Sequence, residues 1–240
     1  MKKKVGLSIF LAIVGVVVVL FVVSYFTIRL NYGVLQGKVT DHYSHDVVRR
    51  LHLTIDGRSD ILFQSKDYQF THLPPGKHTL RAEAPYYYPF SEELEIKRGV
   101  NVFDFTMKGK EIPDLAGIIC FADPVDRGIQ IEIRFKDSKG VGISDFPALP
   151  LQLEGKLYVR EGEDEDNYSR GRLIFEGPIE LFWDPNAYLS RNKGLITWDK
   201  IQIDPEEEKY GIMELVLRTP QGDFEDVIED VEFQSPKKEE

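Results

Sequence analysis

The chain has 240 residues, of which 40 are Asp or Glu and 30 are Lys or Arg, so its formal net charge at pH 7 is −10. This acidity disfavours nucleic acid as a partner, because phosphate binding draws on clustered Lys and Arg. The single cysteine, Cys120, excludes an intrachain disulfide. A chain of this size is long enough to be stabilised by its apolar core alone.

The N-terminus reads "MKKKVGLSIFLAIVGVVVVLFVVSYFTIRL" and has no charged side chain from residue 5 to residue 28. About 20 apolar residues suffice for a helix to cross a bilayer. The alternative is a cleaved signal peptide, but this apolar run is longer than such peptides have and lacks a pair of small residues for cleavage. We predict a single-pass signal anchor over residues 5–28, with the lipid bilayer as its partner.

Three lysines precede the apolar run and place the N-terminus in the cytoplasm. Residues 1–4 are then a cytoplasmic stub of a cell-membrane protein. Everything after the anchor is predicted to be extracytoplasmic.

Short alternating segments follow from residue 34 to residue 109, separated by Gly, Pro, Asp or Ser, and they predict β-strands. They are "LQGKVTD", "RRLHLTIDG", "YQFTHL", "KHTLRAEA", "EELEIKRG" and "VNVFDFTMK". Pro75 and Gly76 are suited to the centre of a type II turn between two of these strands. After that turn, Lys77 and His78 are expected to emerge into solvent.

Three stretches of this half resemble a carboxypeptidase regulatory-like domain and its PEGA-type relatives. They are "GKVTD" at 37–41, "YQFTHLPPGKHTLRAEAPYYYPF" at 68–90 and "VNVFDFTM" at 100–107. The resemblance covers residues 34–109. It implies a seven-stranded, transthyretin-like β-sandwich that assists other domains and has no catalytic residues. The family often has an Asp-Gly-type turn before the Phe, whereas "SKDYQF" has no glycine.

Four aromatic residues follow the strand "KHTLRAEA" between two prolines: Tyr86, Tyr87, Tyr88 and Phe90. Exposed rings in such a cluster form a stacking platform for a sugar or a partner protein. Alternatively, one or two of the rings cover the open end of the sandwich while their hydroxyls stay in water. We retain these four residues as the candidate ligand-binding site.

The segment "DHYSHD" contains four potential metal ligands: Asp41, His42, His45 and Asp46. Imidazole and carboxylate together bind zinc or a related cation. Zinc sites need three or four fixed ligands, however, and Asp and Ser also shape ordinary hydrated turns. The segment is therefore either a metal site or a loop.

Residues 110–240 contain 30 Asp or Glu against 16 Lys or Arg, so the acidity of the chain belongs to this half. Alternating runs again predict strands, as in "GIQIEIRF", where Ile129, Ile131, Ile133 and Phe135 share one face. Six or seven such strands indicate an immunoglobulin-like β-sandwich over residues 110–235, followed by a charged tail at 236–240. The predicted fold class is thus all-β: one transmembrane helix, then two sandwiches.

Two acidic runs in this half are candidate calcium loops, "EGEDEDN" at 161–167 and "DPEEE" at 204–208. Calcium takes six to eight oxygen ligands, but neither run has the spaced pattern of a calcium-binding loop. A solvated loop is the competing interpretation, and otherwise no cofactor is predicted. Cys120 lies in the apolar run "AGIICFA" and is expected to pack as a small buried hydrophobe.

The sequence contains none of the common catalytic motifs: no Gly-x-Ser-x-Gly, no His-Glu-x-x-His, no phosphate loop and no dinucleotide fingerprint. We therefore predict a non-catalytic binding or scaffolding module for a protein or a cell-envelope polymer. One alternative is a metal-assisted hydrolase that uses His42 and His45. The other is a structural spacer subunit of a membrane complex.

Overall fold

The computed structural model describes residues 14–24, 31–164, 167–204 and 208–233. Apart from helical positions at residues 14–24 and 31 and one 3₁₀ helix, the regular structure of these residues is β-strand, so the predicted all-β class is confirmed. The chain divides into two units. The first comprises the chain up to residue 40 together with residues 47–107, and the second comprises residues 41–46 together with the chain from residue 108 onward.

The helix of residues 14–24 is apolar, and all of its side chains are exposed. In the part of the chain that the structure describes, no helix has both the length and the hydropathy needed to cross a membrane. The predicted anchor, residues 5–28, extends on both sides of this helix into residues that lie outside the described part.

The first unit contains eight strands. They are β1 (Gly33–Asp41), β2 (Leu51–Ile55), β3 (Arg58–Leu62), β4 (Asp67–Leu73), β5 (Gly76–Glu83), β6 (Phe90–Ile96), β7 (Gly99–Val102) and β8 (Phe105–Met107). One sheet has the order β4-β1-β7, with β8 also paired to β1, and the other has the order β3-β2-β5-β6. Both sheets contribute side chains to one buried core, such as Leu35 and Phe70 from the first sheet and Leu53 and Leu80 from the second. The unit is therefore a β-sandwich of two four-stranded sheets.

The segment predicted as one closing strand, residues 100–107, is interrupted at Phe103 and Asp104. Its polar groups turn toward β1 and β4 at this point. Phe103 N donates to Gln36 O (3.0 Å), and the Tyr68 hydroxyl donates to Phe103 O (2.6 Å). Lys38 N donates to the Asp104 carboxylate (2.7 Å). These hydrogen bonds replace the regular ladder, so the unit has eight strands where the resemblance implies seven.

His78 is buried, which contradicts the expectation that it emerges into solvent beside Lys77. Side chains alternate across a strand, so His78 shares the inner face of β5 with Leu80 and Ala82. One ring nitrogen, Nδ1, contacts the Asp56 carboxylate, and Nε2 lies 2.7 Å from the Pro74 carbonyl oxygen. The polar ring is accommodated at the end of the core because both nitrogens have partners there.

The second unit contains β9 (Leu115–Val125), β10 (Gly128–Asp137), β11 (Gly142–Ile143), β12 (Gln152–Asp164), β13 (Asn167–Trp183), β14 (Asn192–Thr197), β15 (Tyr210–Thr219) and β16 (Gly222–Glu232). A 3₁₀ helix, Trp198–Lys200, follows β14. The strands form one hydrogen-bonded sheet in the order β11-β10-β14-β13-β12-β15-β16, and β9 also pairs with β10.

The long strand β13 belongs to both layers of this sheet. Its residues 167–179 pair with β12, and its residues 180–183 pair with β14. Side chains from both layers fill a single core, so the unit is a β-sandwich whose two layers share a strand. This connectivity differs from the two separate sheets of the predicted immunoglobulin-like sandwich, because β13 is long enough to belong to both layers.

Strand β10 has the predicted alternation. Ile129, Ile131, Ile133 and Phe135 are all at most 1% exposed and belong to the core. Glu132 and Arg134 point to the opposite face, which is open to solvent. The prediction of a sheet with one wet face is confirmed for this strand.

Candidate functional site

The aromatic cluster at residues 86–90 is divided between the core and the surface. Phe90 stacks on Phe105 with ring centroids 4.3 Å apart, and Tyr87 is partly buried against the same core. Tyr88 is 54% exposed, whereas Tyr86 is half-buried and has a left-handed backbone conformation with φ of 65°. Tyr88 is therefore the one open ring of the cluster, and ligand binding by these four residues stays a prediction.

The predicted metal ligands do not converge on one point. They are Asp41, His42, His45 and Asp46. Asp41 is 1% exposed, and its carboxylate accepts backbone N–H groups from Tyr43 (2.8 Å), Ser44 (2.9 Å) and Ala148 (3.1 Å). Within residues 14–24, 31–164, 167–204 and 208–233, no group of three or more His, Cys, Asp or Glu side chains could hold a metal ion. The hydrated-loop interpretation fits this segment, because Asp41 is turned toward backbone donors that shape the loop.

The two acidic runs proposed as calcium loops extend into residues 165–166 and 205–207, which lie outside the described part of the chain. At the described end of the second run, the Glu208 carboxylate accepts two hydrogen bonds from Arg172 Nη2 (2.9 and 3.0 Å). It also accepts one from Asp204 N (2.8 Å). These donors occupy the Glu208 carboxylate oxygens that a calcium ion would need. Calcium binding by the two runs stays a prediction.

Cys120 is buried, as predicted, and its backbone N–H donates to the Asp226 carboxylate (2.6 Å). Burial, together with the nearby Asp226 carboxylate, raises the pKa of the Cys120 thiol to about 12. A nucleophilic cysteine needs the opposite shift, because the thiolate is the reactive form. Cys120 is therefore a packing residue.

This pKa predicts how the second unit responds to alkali. The folded state keeps the thiol proton at pH values where the unfolded state, with a pKa of 9.0, has lost it. The contribution of Cys120 to the free energy of unfolding is constant below about pH 9 and falls by about 1 kcal/mol per pH unit above it. Urea unfolding of the wild type and Cys120→Ala at pH 7 and pH 10.5 checks this. The stability advantage of the wild type should shrink at the higher pH; an unchanged advantage would contradict it.

A surface that the sequence analysis did not predict lies on the outer face of the second unit. Four residues in direct register across β9, β10, β14 and β13 form what we call the ring-ended row: Phe121, Glu132, Lys193 and Phe182. Directly paired residues point to the same face of a sheet. The two phenylalanines are 39% and 46% exposed, so the row presents a ring to solvent at each end.

The centre of the row is charged and tightly paired. Lys193 Nζ lies 2.9 Å from Asp184 Oδ2 and 3.4 Å from Glu132 Oε1, and Arg134 Nη2 lies 3.8 Å from Glu132 Oε2. The hydrogen bond from Lys193, supported by the backbone N–H of Asn186, lowers the pKa of Asp184. The same hydrogen bond raises the pKa of Lys193. These groups therefore hold their charges in fixed positions on the open face.

Arg134 is held in place beside the row. Its guanidinium carbon lies 4.3 Å from the centroid of the Phe121 ring, and its Nε donates to Ser190 Oγ (2.9 Å). A cation over an aromatic face is stabilised by the ring quadrupole. The side chain remains 41% exposed, so the rest of the guanidinium is presented to solvent in one orientation.

Sequence reasoning missed this face because its members come from four strands whose order and register are set by long-range pairing. A local signal did exist. Phe121 and Phe182 fall on the solvent-facing positions of their strands, alternating with the buried Cys120 and the partly buried Leu181 and Trp183. A large ring at a solvent-facing position is an indication of binding, whereas a ring at a core-facing position is not.

The first unit also has a concave surface, a groove of about 520 Å³. It is lined by Gln36, Gly37, Lys38, Asp60, Asp67, Tyr68, Gln69, Val102 and Asp104. Tyr68 is its only lining aromatic residue and is just 3% exposed, so the groove offers polar groups without a stacking surface. The ring-ended row has both polar groups and exposed aromatic rings, and it is therefore the stronger candidate for a binding site.

No protein-family model matches the chain, and no curated protein is similar to it in sequence. Among solved structures, it is similar to a DUF3823 family protein from Parabacteroides merdae ATCC 43184 (12% identity, 85% of this chain and 99% of that one, TM-score 0.28). A second DUF3823 family protein, from Bacteroides ovatus ATCC 8483, has 14% identity over 84% of this chain and 100% of its own, with a TM-score of 0.28. A protein from Bacteroides uniformis ATCC 8492, provisionally described as carbohydrate binding, has 13% identity over 83% and 99%, with a TM-score of 0.29. TM-scores this low assign neither a fold family nor a ligand to this chain.

Proposed function

We propose that this chain is a membrane-anchored, outward-facing, non-catalytic binding protein whose second unit contacts its ligand through the ring-ended row. The observation that carries the proposal is the exposure of Phe121 and Phe182 on one face of the sheet around fixed charges. Exposed rings next to oriented polar groups are typical of recognition surfaces, since most large apolar side chains of a folded unit are buried.

The anchor in this proposal is the uncharged run of residues 5–28, with Lys2, Lys3 and Lys4 keeping the N-terminus in the cytoplasm. The exposure of the apolar side chains in residues 14–24 supports it. In lipid, that exposed surface is favourable.

We also propose that residues 34–109 are a carboxypeptidase regulatory-like or PEGA-type module that holds the second unit. The motif positions that carry the resemblance have defined places: "GKVTD" ends β1, and "LPPG" joins β4 to β5. The module contributes no catalytic group. Its role is to present the distal unit, whether that unit binds a protein or a cell-envelope polymer.

The two rival functions have less support. A hydrolase using His42 and His45 needs a metal, and the carboxylate of Asp41, the buried member of that group, is directed at three backbone N–H groups. A pure spacer needs no exposed rings beside an oriented arginine, yet the outer face of the second unit has both.

The anchor is tested by placing a charge within the apolar run. Val18→Asp is expected to move most of the protein from the membrane fraction to the soluble fraction, because an aspartate at the centre of a spanning helix costs about 3 kcal/mol. The matched control Val18→Leu should stay in membranes after alkaline carbonate extraction. In intact cells, protease added outside should degrade the wild-type C-terminal units. Their full protection, or an unchanged distribution of Val18→Asp, would contradict the anchor.

A further inference from the structure

The ring-ended row has its charges in the middle and its apolar surface at the two ends. Protein–protein interfaces have the reverse arrangement, since their buried centre is depleted of charge and carries the aromatic anchors, while the rim is polar. On this face, Lys193 and Glu132 occupy the centre with side chains 15% and 22% exposed, and the more exposed rings lie outside them. The arrangement therefore does not match a protein hot spot.

The four charged side chains that pair at the centre of the row balance one another. Arg134 and Lys193 contribute two positive charges, and Glu132 and Asp184 contribute two negative charges. This centre by itself selects neither a polyanion nor a polycation. It offers both carboxylate acceptors and guanidinium donors at fixed positions, and a hydroxyl group can donate to one and accept from the other.

The row is also too long for a compact small molecule to contact both rings. Phe121 and Phe182 lie on strands separated by two intervening strands, so their Cα atoms are about 14 Å apart at about 4.8 Å per strand. A ligand that contacts both rings must be extended. It must have apolar surface for the rings at its ends and hydrogen-bonding groups between them.

We propose that the ring-ended row binds a neutral, extended, polyhydroxylated polymer, the chemistry of a polysaccharide chain lying across β9, β10, β14 and β13. This inference rests on the proposed function and names its ligand class. Phe182, and the part of the Phe121 ring that Arg134 leaves exposed, contact the apolar faces of separated sugar rings. Glu132, Arg134 and Lys193 hydrogen-bond to the hydroxyl groups between them.

The test uses the full-length protein in a detergent without a sugar headgroup, titrated calorimetrically with cellohexaose and with chitohexaose. At least one of the two oligosaccharides is expected to bind, and Phe121→Ala and Phe182→Ala are each expected to weaken binding about two- to tenfold, the range of one aromatic contact. Phe63→Ala is the control, because Phe63 is an exposed ring on the first unit, more open at 67% than Phe121 or Phe182. It should bind like the wild type. Equal binding by all variants, or no binding to either oligosaccharide, would overturn the ligand class.

Two further measurements separate this inference from the proposed function. Polygalacturonate and poly-L-lysine should bind more weakly than the neutral oligosaccharides. Stronger binding of either charged polymer would overturn the inference that the ligand is neutral. Cosedimentation with insoluble cell-envelope material tests binding without assuming a ligand class. If the double variant Phe121→Ala/Phe182→Ala loses cosedimentation while neither oligosaccharide binds the wild type, the proposed function stands and the ligand class fails. If the wild type also fails to cosediment, both fail.

Discussion

Replacing Gly37 with alanine is expected to lower the free energy of unfolding of the first unit by about 3–5 kcal/mol, or to prevent its folding. A Cβ atom at this position would overlap the carbonyl oxygen of Phe103 and lie 2.7 Å from its carbonyl carbon. Both obstructing atoms are backbone, so no side-chain rotation relieves the overlap. The same carbonyl accepts the Tyr68 hydroxyl, so a shift of Phe103 also disturbs that hydrogen bond.

Urea unfolding followed by tyrosine fluorescence and far-ultraviolet circular dichroism measures this effect. The control is Gly142→Ala, where the new Cβ would be 3.2 Å from the end of the Leu189 side chain, which can move aside. That variant should change stability by less than about 1 kcal/mol. Equal stabilities for the two alanine variants would show that Gly37 does not approach Phe103 as closely as described.

Asp41→Ala is expected to lower the free energy of unfolding by about 2–4 kcal/mol, because Asp41 shapes the loop that was also a candidate metal site. The substitution leaves the backbone N–H groups of Tyr43, Ser44 and Ala148 without the carboxylate that accepts them. Hydrogen bonds to a charged acceptor are stronger than neutral ones, and a buried donor without a partner is costly. Thermal and urea unfolding measure the loss.

Asp41→Asn provides the matched comparison for this prediction. The amide keeps one oxygen of nearly the same shape, so this variant should lose less stability than Asp41→Ala. Measuring bound zinc in the same samples tests the competing role. Should Asp41→Ala remove a stoichiometric metal ion while leaving unfolding unchanged, the metal-site interpretation would be correct and the structural role wrong.

Local pattern was sufficient for most strands of both units, although β3 (Arg58–Leu62) and the short β11 (Gly142–Ile143) were not predicted. The alternation of Ile129, Ile131, Ile133 and Phe135 predicted which face of β10 is buried, because side-chain direction on a strand depends only on sequence parity. The same parity would have placed His78 inside with Leu80, but the preceding Pro-Gly turn led to the opposite expectation. The interruption at Phe103 was not predictable from alternation, since it depends on contacts with Gln36, Gly37 and Tyr68 in distant strands.

The candidate site was less accessible to sequence reasoning than the fold. Adjacent residues such as Tyr86, Tyr87 and Tyr88 attract attention because they cluster along the chain, yet consecutive side chains face different directions. Phe121 and Phe182 are 61 positions apart in the sequence, and only the pairing of β9 with β10, β10 with β14 and β14 with β13 aligns them. Register between distant strands is a property of the whole unit, so no short motif reports it.

The sharing of β13 between both layers limits how the second unit can be divided. The strand supplies hydrogen-bond partners to β12 along one part of its length and to β14 along the other. Removing either layer would leave part of this strand, and one side of the common core, facing water. A minimal fragment that carries the binding face must therefore retain both layers. The two layers should also unfold together, in a single cooperative transition.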